Sequence, residues 1–200
     1  MKTLFAFITT ILCLAACHTA PTLAPSPALS GNYVLDPAHA SVTWSVSHAG
    51  LSHYTARFET IEGALRYDAL APEASRVDIR INPVSVSTGL PDFDDTIAND
   101  SRYFDAKTYP KIRFVSTEVQ ALSENAGTVT GELTFRGQTH PLTLDVTYNG
   151  VGKSFGHPGD TLGFSATGEL SRTQYGLTYL KNFGIGDTVT LRIEAEFNEK

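Results

Sequence analysis

Three histidines, His39, His48 and His53, crowd one stretch of a chain that contains six. Imidazole is a common metal ligand, but zinc motifs have characteristic spacings and no pair here has one. Hydrogen-bonded histidines at strand ends account for all three without a metal. Arg172-Thr173-Gln174-Tyr175-Gly176 sets a guanidinium near a phenol, a pair able to meet a phosphate or carboxylate. A bulge or a strand-end packing unit uses the same residues. The acids Asp92, Asp94, Asp95 and Asp100 look like a calcium loop but lack its central Gly and its closing Glu. A solvated helix start explains them better. There is no H-E-x-x-H and no phosphate-binding glycine loop, and no catalytic residue is assigned. A scattered Ser-His-Asp set leaves no local mark and stays open.

Both cysteines, Cys13 and Cys17, lie at the start, so no thiol follows residue 17. A disulfide framework, a Cys-ligated metal and a cysteine nucleophile are excluded from the rest. Lys2 and the apolar run Leu4–Ala16 have the form of a secretory signal, too short to span a bilayer. Leu14-Ala15-Ala16-Cys17 resembles a bacterial lipobox. That resemblance implies cleavage before Cys17, acylation of its thiol and new amine, and anchoring by more than one chain. His18 in place of an Asp implies the outer membrane. Residues 18–30, with Pro21, Pro25 and Pro27, read as a semi-extended tether of roughly 40 Å at ~3.1 Å per residue.

The elements that must position any site are strands. Val42, Trp44 and Val46 alternate with Ser41, Thr43 and Ser45. The same period of two runs through 77–82, 142–148 and 189–197. It marks strands with one apolar and one wet face. Less regular strands are expected over 54–67, 112–122, 128–136 and 162–170. Glu124-Asn125-Ala126-Gly127 and Arg136-Gly137-Gln138-Thr139 read as short hairpin loops, and Asn149-Gly150 as a further turn. Asp92–Tyr103 lacks the period of two and predicts a short helix behind Pro91. The fold class is therefore all-β and antiparallel. Alternation alone does not separate a sandwich from a barrel. Large side chains on the apolar face favour an eight-stranded barrel, which is wide enough to be filled or to hold one small ligand. With 21 acidic against 15 basic residues and no basic run, nucleic acid is not expected as a partner.

Several segments together resemble the YceI-like family. They are Asp36-Pro37-Ala38-His39-Ala40-Ser41-Val42-x-Trp44-x-Val46-x-His48, then Phe58-x5-Ala64-Leu65. Tyr103-Phe104-Asp105-Ala106-x-x-Tyr109-Pro110-x-Ile112-x-Phe114 follows. Val129-x-Gly131-x-Leu133-Thr134-x-Arg136-Gly137 leads to Thr139-His140-Pro141-Leu142. Ser171-Arg172-Thr173-x-Tyr175-Gly176 and Gly186-Asp187-x-Val189-x-Leu191 close the set, in order over 33–197. Trp44 stands where the family commonly has Phe. The resemblance implies a lipocalin-like antiparallel barrel with a helix. It also implies a periplasmic location and a bound polyprenyl, quinone-like or other long-chain amphiphile, without catalysis.

The ligand-binding candidates are the residues of the apolar face. They are Val42, Trp44 and Val46, then Phe58, Ile79, Phe114, Phe135 and Leu144, then Phe164, Ala166, Leu191 and Ile193. His48, Arg172 and Tyr175 are the candidates for a polar head. No cofactor beyond such a lipid and no metal is expected. The expected partners are the lipid and, through Cys17, a membrane; a homodimer stays open. The competing function is an anchored structural or protein-interaction module whose barrel is filled by its own side chains. The domain plan is a signal over 1–16, an acylated Cys and tether over 17–30, and a barrel over 31–200.

Overall fold

The computed structural model describes residues 20–154 and 156–200. The signal-like segment and Cys17 lie outside the described residues. Among those described, ten strands and one α-helix follow in order. The strands are β1 (Gly31–His48), β2 (Ser52–Phe58), β3 (Ile61–Tyr67), β4 (Arg76–Ile81) and β5 (Val86–Ser87). The helix α1 (Pro91–Asn99) comes next. β6 (Ile112–Ala121), β7 (Ala126–Phe135), β8 (Gln138–Gly152), β9 (Thr161–Ser171) and β10 (Ile185–Glu199) complete the set. No described helix is long and apolar enough to cross a membrane.

Eight strands close into a ring in the order β1-β3-β4-β6-β7-β8-β9-β10, with β10 paired back onto β1. Every pairing is antiparallel. Closure leaves the ring no open edge, which settles barrel over sandwich. One face of each strand supplies the interior. On β7 it is Gly131, Leu133 and Phe135; on β8 it is Leu142 and Leu144. Gly131 is small for a reason. A Cβ there would sit 2.5 Å from the Phe114 ring and from the Val115 carbonyl.

β1 is long enough to serve two partners along one edge. Its residues 31–34 pair with β3 and its residues 42–48 with β2. Between them the pairing with β10 slips, from Leu35↔Phe197 to Ala40↔Ala195. Asp36-Pro37-Ala38-His39 bulges out opposite Glu196 alone. The Asp36 carboxylate holds the bulge by accepting from Ala38 N at 2.9 Å and from Asn198 Nδ2 at 3.2 Å. A bulge bends and twists a strand, so the two halves of β1 meet different neighbours.

Three expectations are corrected, and one strand is added. The strand expected over 54–67 is two strands, because Glu59 and Thr60 leave the ladder and donate to Ser85 O and Oγ, both at 2.9 Å. The short strand β5 pairs with the end of β2 and had no periodicity to reveal it. The helix stops at Asn99, four residues early. Asp100 turns extended, and its carboxylate takes Arg102 N and the Arg102 guanidinium. Asn149-Gly150 does not turn the chain. It is a bulge inside β8, where Gly150 has φ +112° and a Cβ would lie 2.8 Å from Thr22 O. The hairpin expected over Arg136-Gly137-Gln138-Thr139 turns on Arg136 and Gly137 alone, with φ of 48° and 71° between paired Phe135 and Gln138.

The tether is also corrected. Thr22 forms a bridge with Val151 of β8. Pro27–Leu29 makes a 3₁₀ turn with Leu29 buried in the core. Tyr33 Oη donates to Leu29 O at 2.8 Å, and Ala69 N donates to Ser30 Oγ at 2.9 Å. Residues 22–30 are therefore laid against the Gly31 end of the barrel and do not stand off from it.

Candidate functional site

The inward side chains do not meet in the middle. They leave a cavity of about 530 Å³ inside the barrel, walled almost wholly by aliphatic and aromatic groups. That volume lies in the range of small-molecule sites. Its walls come from strands distant in sequence, because closure brings the apolar face of every strand to one axis.

Fourteen of the fifteen ligand-binding candidates line this cavity. Val42, Trp44 and Val46 form one wall with Leu191 and Ile193 of the neighbouring β10. Ala166 pairs with Val146 on one side and Ile193 on the other, and its small side chain keeps the bore open. Phe58, Ile79, Phe114, Phe135, Leu144 and Phe164 complete the circumference. His48 is exposed at the end of β1, on the rim.

Two candidates are misassigned. Tyr175 does not line the cavity. It is 1% exposed, packed between Phe135 and His140 with ring centroids at 5.8 and 5.1 Å. Burial pushes its hydroxyl up to about 12, so it stays neutral. Arg172 touches the cavity wall but has four of its five N–H donors already engaged by backbone carbonyls. Its guanidinium donates to Gly186 O at 2.6 Å, Leu177 O at 2.5 Å, Tyr179 O at 2.9 Å and Ile185 O at 3.0 Å. Desolvation in that setting lowers its pKa. It ties the loop after β9 to the start of β10.

Other lining residues had weaker signals. Tyr54 shares the inward parity of Ala56 and Phe58 and stands beside Trp44, with rings 6.3 Å apart. Phe104 comes from outside the strands. Its N–H donates to Ile97 O at 3.0 Å, and its ring meets Trp44, Phe58 and Phe135 at 6.2, 5.8 and 5.3 Å. It plugs the flank where α1 covers the barrel. No strand period announces such a residue. It belongs to the Tyr103-Phe104-Asp105-Ala106 motif.

Polar groups at the His48 end are mostly engaged. Arg102 lies against Asp100, with Nη2 to Oδ2 at 2.6 Å, and donates to Tyr179 Oη at 3.0 Å. The guanidinium holds the Asp100 carboxyl down to about 2. Outside the barrel, Asp36, His39 and Glu196 bring one ligand atom each within 4.8 Å of one another. Strand pairing creates that group, since Glu196 is far off in sequence. His39 Nδ1 and Asp36 Oδ2 already bond to each other at 2.9 Å.

The comparisons with known proteins agree with this architecture. The YceI-like domain model matches residues 33–197. A UPF0312 protein of Pseudomonas putida strain GB-1 is 35% identical over 158 residues, covering 78% of this chain and 81% of that protein. A UPF0312 protein of Pseudomonas fluorescens strain SBW25 is 31% identical over 158 residues, with the same two shares of 78% and 81%. Among solved structures, BcnA of Burkholderia cenocepacia superposes with a TM-score of 0.70 at 22% identity, covering 81% of this chain and 98% of that one. The Campylobacter jejuni YceI protein gives 0.66 at 27% identity, covering 75% and 87%. A polyisoprenoid-binding domain from Saccharophagus degradans gives 0.61 at 15% identity, covering 84% and 98%. At such identities the first and third of these likenesses concern the fold alone. With the family model spanning the barrel and the Pseudomonas relatives matching most of their length, the chain belongs to the YceI-like family.

Proposed function

We propose that this protein binds the apolar chain of an isoprenoid or another long amphiphile inside its barrel, as a non-catalytic carrier or store. The observation that carries the reading is the cavity of about 530 Å³ with walls of hydrocarbon and aromatic rings. A chain moved from water into it is stabilised by about 25 cal/mol for each Å² of apolar area covered. The described polyisoprenoid-binding domain from Saccharophagus degradans shares the fold. A barrel filled by its own side chains, the competing function, has no use for such a space.

The proposal extends to location. Cys17 would carry the lipid anchor and hold the barrel at the bacterial outer membrane, facing the periplasm. With Thr22 pinned to Val151, the free lead from Cys17 is about five residues, roughly 15–18 Å fully extended. That is less than half of the stand-off expected from a free tether, so the barrel would ride close to its membrane.

The deciding experiment is solvent extraction and mass spectrometry of protein purified from a membrane-containing host. One stoichiometric prenyl or acyl species is expected. Protein that emerges empty, and stays empty after incubation with quinones and prenyl phosphates, would remove the reading.

A further inference from the structure

The cavity wall contains two polar hydrogens with nothing to bond. Trp44 Nε1 and Tyr54 Oη are both shielded from solvent, and neither has a hydrogen-bond partner among the described residues. They are neighbours. Val46 pairs with Tyr54 and Trp44 pairs with Ala56, so the two rings project from adjacent strands toward the same bore, 6.3 Å apart. Their surroundings are rings: Phe104 stands edge-on to Trp44 at 6.2 Å, and Phe93 to Tyr54 at 5.8 Å. Buried donors are nearly always paired, and the exceptions call for an explanation such as a missing ligand. Both side chains line the cavity that the proposed function fills with an apolar chain.

Charge narrows what could be bonded there. The two guanidinium groups lining this end of the cavity are committed. Arg102 is neutralised by Asp100 and stacked 4.6 Å from the centre of the Tyr179 ring. Arg172 keeps its charge but gives four of its five N–H groups to backbone carbonyls. A phosphate drawn to Trp44 and Tyr54 would be buried among rings and would compete with Asp100 for Arg102 and with those carbonyls for Arg172, which is unfavourable. A neutral acceptor meets no such penalty. Indole N–H only donates, and a phenol donates readily, so the matching ligand atom is an acceptor oxygen.

We infer that Trp44 and Tyr54 form a polar subsite for a neutral carbonyl oxygen, of the kind found in quinones, amides and esters, carried on the apolar chain. This rests on the lipid-binding reading and makes it specific. The ligand's carbonyl end lies within the barrel wall, beneath the His48 rim, and not out in solvent.

The test uses the intact protein, freed of endogenous lipid, and three probes of equal chain length: undecane, 2-undecanone and undecyl phosphate. Calorimetry compares wild type with Tyr54→Phe, which keeps the ring and deletes its donor, and with Trp44→Phe, which deletes the other donor and also shrinks the ring; undecane in each variant corrects for the changed wall. The ketone is expected to bind more tightly than the phosphate. Each variant is expected to lose about three- to tenfold of its ketone affinity relative to its own undecane affinity, the size of one neutral hydrogen bond. Ketone and undecane affinities that fall together in both variants, or do not move in either, would overturn the subsite while leaving a lipid-binding barrel. Tighter phosphate binding would overturn the neutral head. Failure of all three probes to bind wild type would remove the lipid-binding reading itself, and the subsite with it.

Discussion

Thr22 and Val151 exchange both backbone hydrogen bonds, Thr22 N to Val151 O at 3.0 Å and Val151 N to Thr22 O at 2.9 Å. A segment that composition marks as a solvated linker is thereby a part of the folded unit. Proline does not prevent this, because the pairing residue is a threonine and the prolines flank it. Gly150 completes the contact, since any side chain there would strike the Thr22 carbonyl.

The first prediction concerns Leu29, at 7% exposure. Leu29→Ala removes a buried side chain and leaves a cavity, a change that costs about 2–5 kcal/mol. For a domain of this size each kcal/mol lowers the midpoint by roughly 2–4 °C. Thermal unfolding followed by circular dichroism checks it, and a chain beginning at Gly31 is expected to be destabilised at least as much. A midpoint within a degree of wild type in both would show that residues 22–30 contribute nothing to stability.

Arg172 gives the second prediction. Arg172→Ala strands four carbonyls, and Arg172→Lys cannot reach them all with one ammonium group. A loss of about 3 kcal/mol or more is expected for Ala, with a partial loss for Lys. Hydrogen exchange at 176–186 is expected to accelerate first. Lipid affinity falling without any loss of stability would restore the head-group role that the geometry argues against.

Ala166 offers a steric test. Ala166→Trp places an indole across the bore between Val146 and Ile193. The protein is expected to fold, with the ring occupying open space, and to lose its extractable lipid. Mass spectrometry beside wild type reads the result. Unchanged lipid content would mean that the chain runs elsewhere.

The bulge in β1 predicts a pH dependence. The hydrogen bond to Asp36, and then the charge of Glu196, raise the His39 pKa above 6.5. The same bond holds the Asp36 carboxyl below its usual value. His39 therefore binds its proton more tightly folded than unfolded. Its contribution is complete below the unfolded value and is lost as pH rises through the folded one. The unfolding midpoint is expected to drop modestly between about pH 6 and 8, and His39→Ala is expected to flatten that slope. An identical slope in the variant would assign it to another group.

The fifth prediction addresses the anchor. Wild type expressed in a Gram-negative host is expected to incorporate radiolabelled palmitate, and Cys17→Ser is not. Equal labelling of both proteins would remove the lipoprotein proposal and leave the barrel's binding untouched.

Much of the barrel was legible because strand periodicity is local. Trp44 and Val46, Leu142 and Leu144, or Leu191 and Ile193 each declare an inward face from neighbours two positions away. That single rule placed thirteen of the fourteen lining candidates on one cavity, Arg172 being the other. Where the physics is not local, the sequence was silent or misleading. Arg172 looks like a ligand contact until four carbonyls, brought in by the loop at 177–186, take its donors. Tyr175 reads as rim until Phe135 and His140 enclose it. Phe104 and β5 have no period at all, and their places follow from gaps that only the closed ring creates. The residue types and their alternation thus determined antiparallel strands with one apolar face, and closure of the ring made that face the interior of a barrel. The tertiary structure alone decided that the interior stays open, that residues 22–30 cover one end, and that Trp44 and Tyr54 face it unpartnered. Each of those depends on the distance between segments far apart in the chain, which periodicity does not encode.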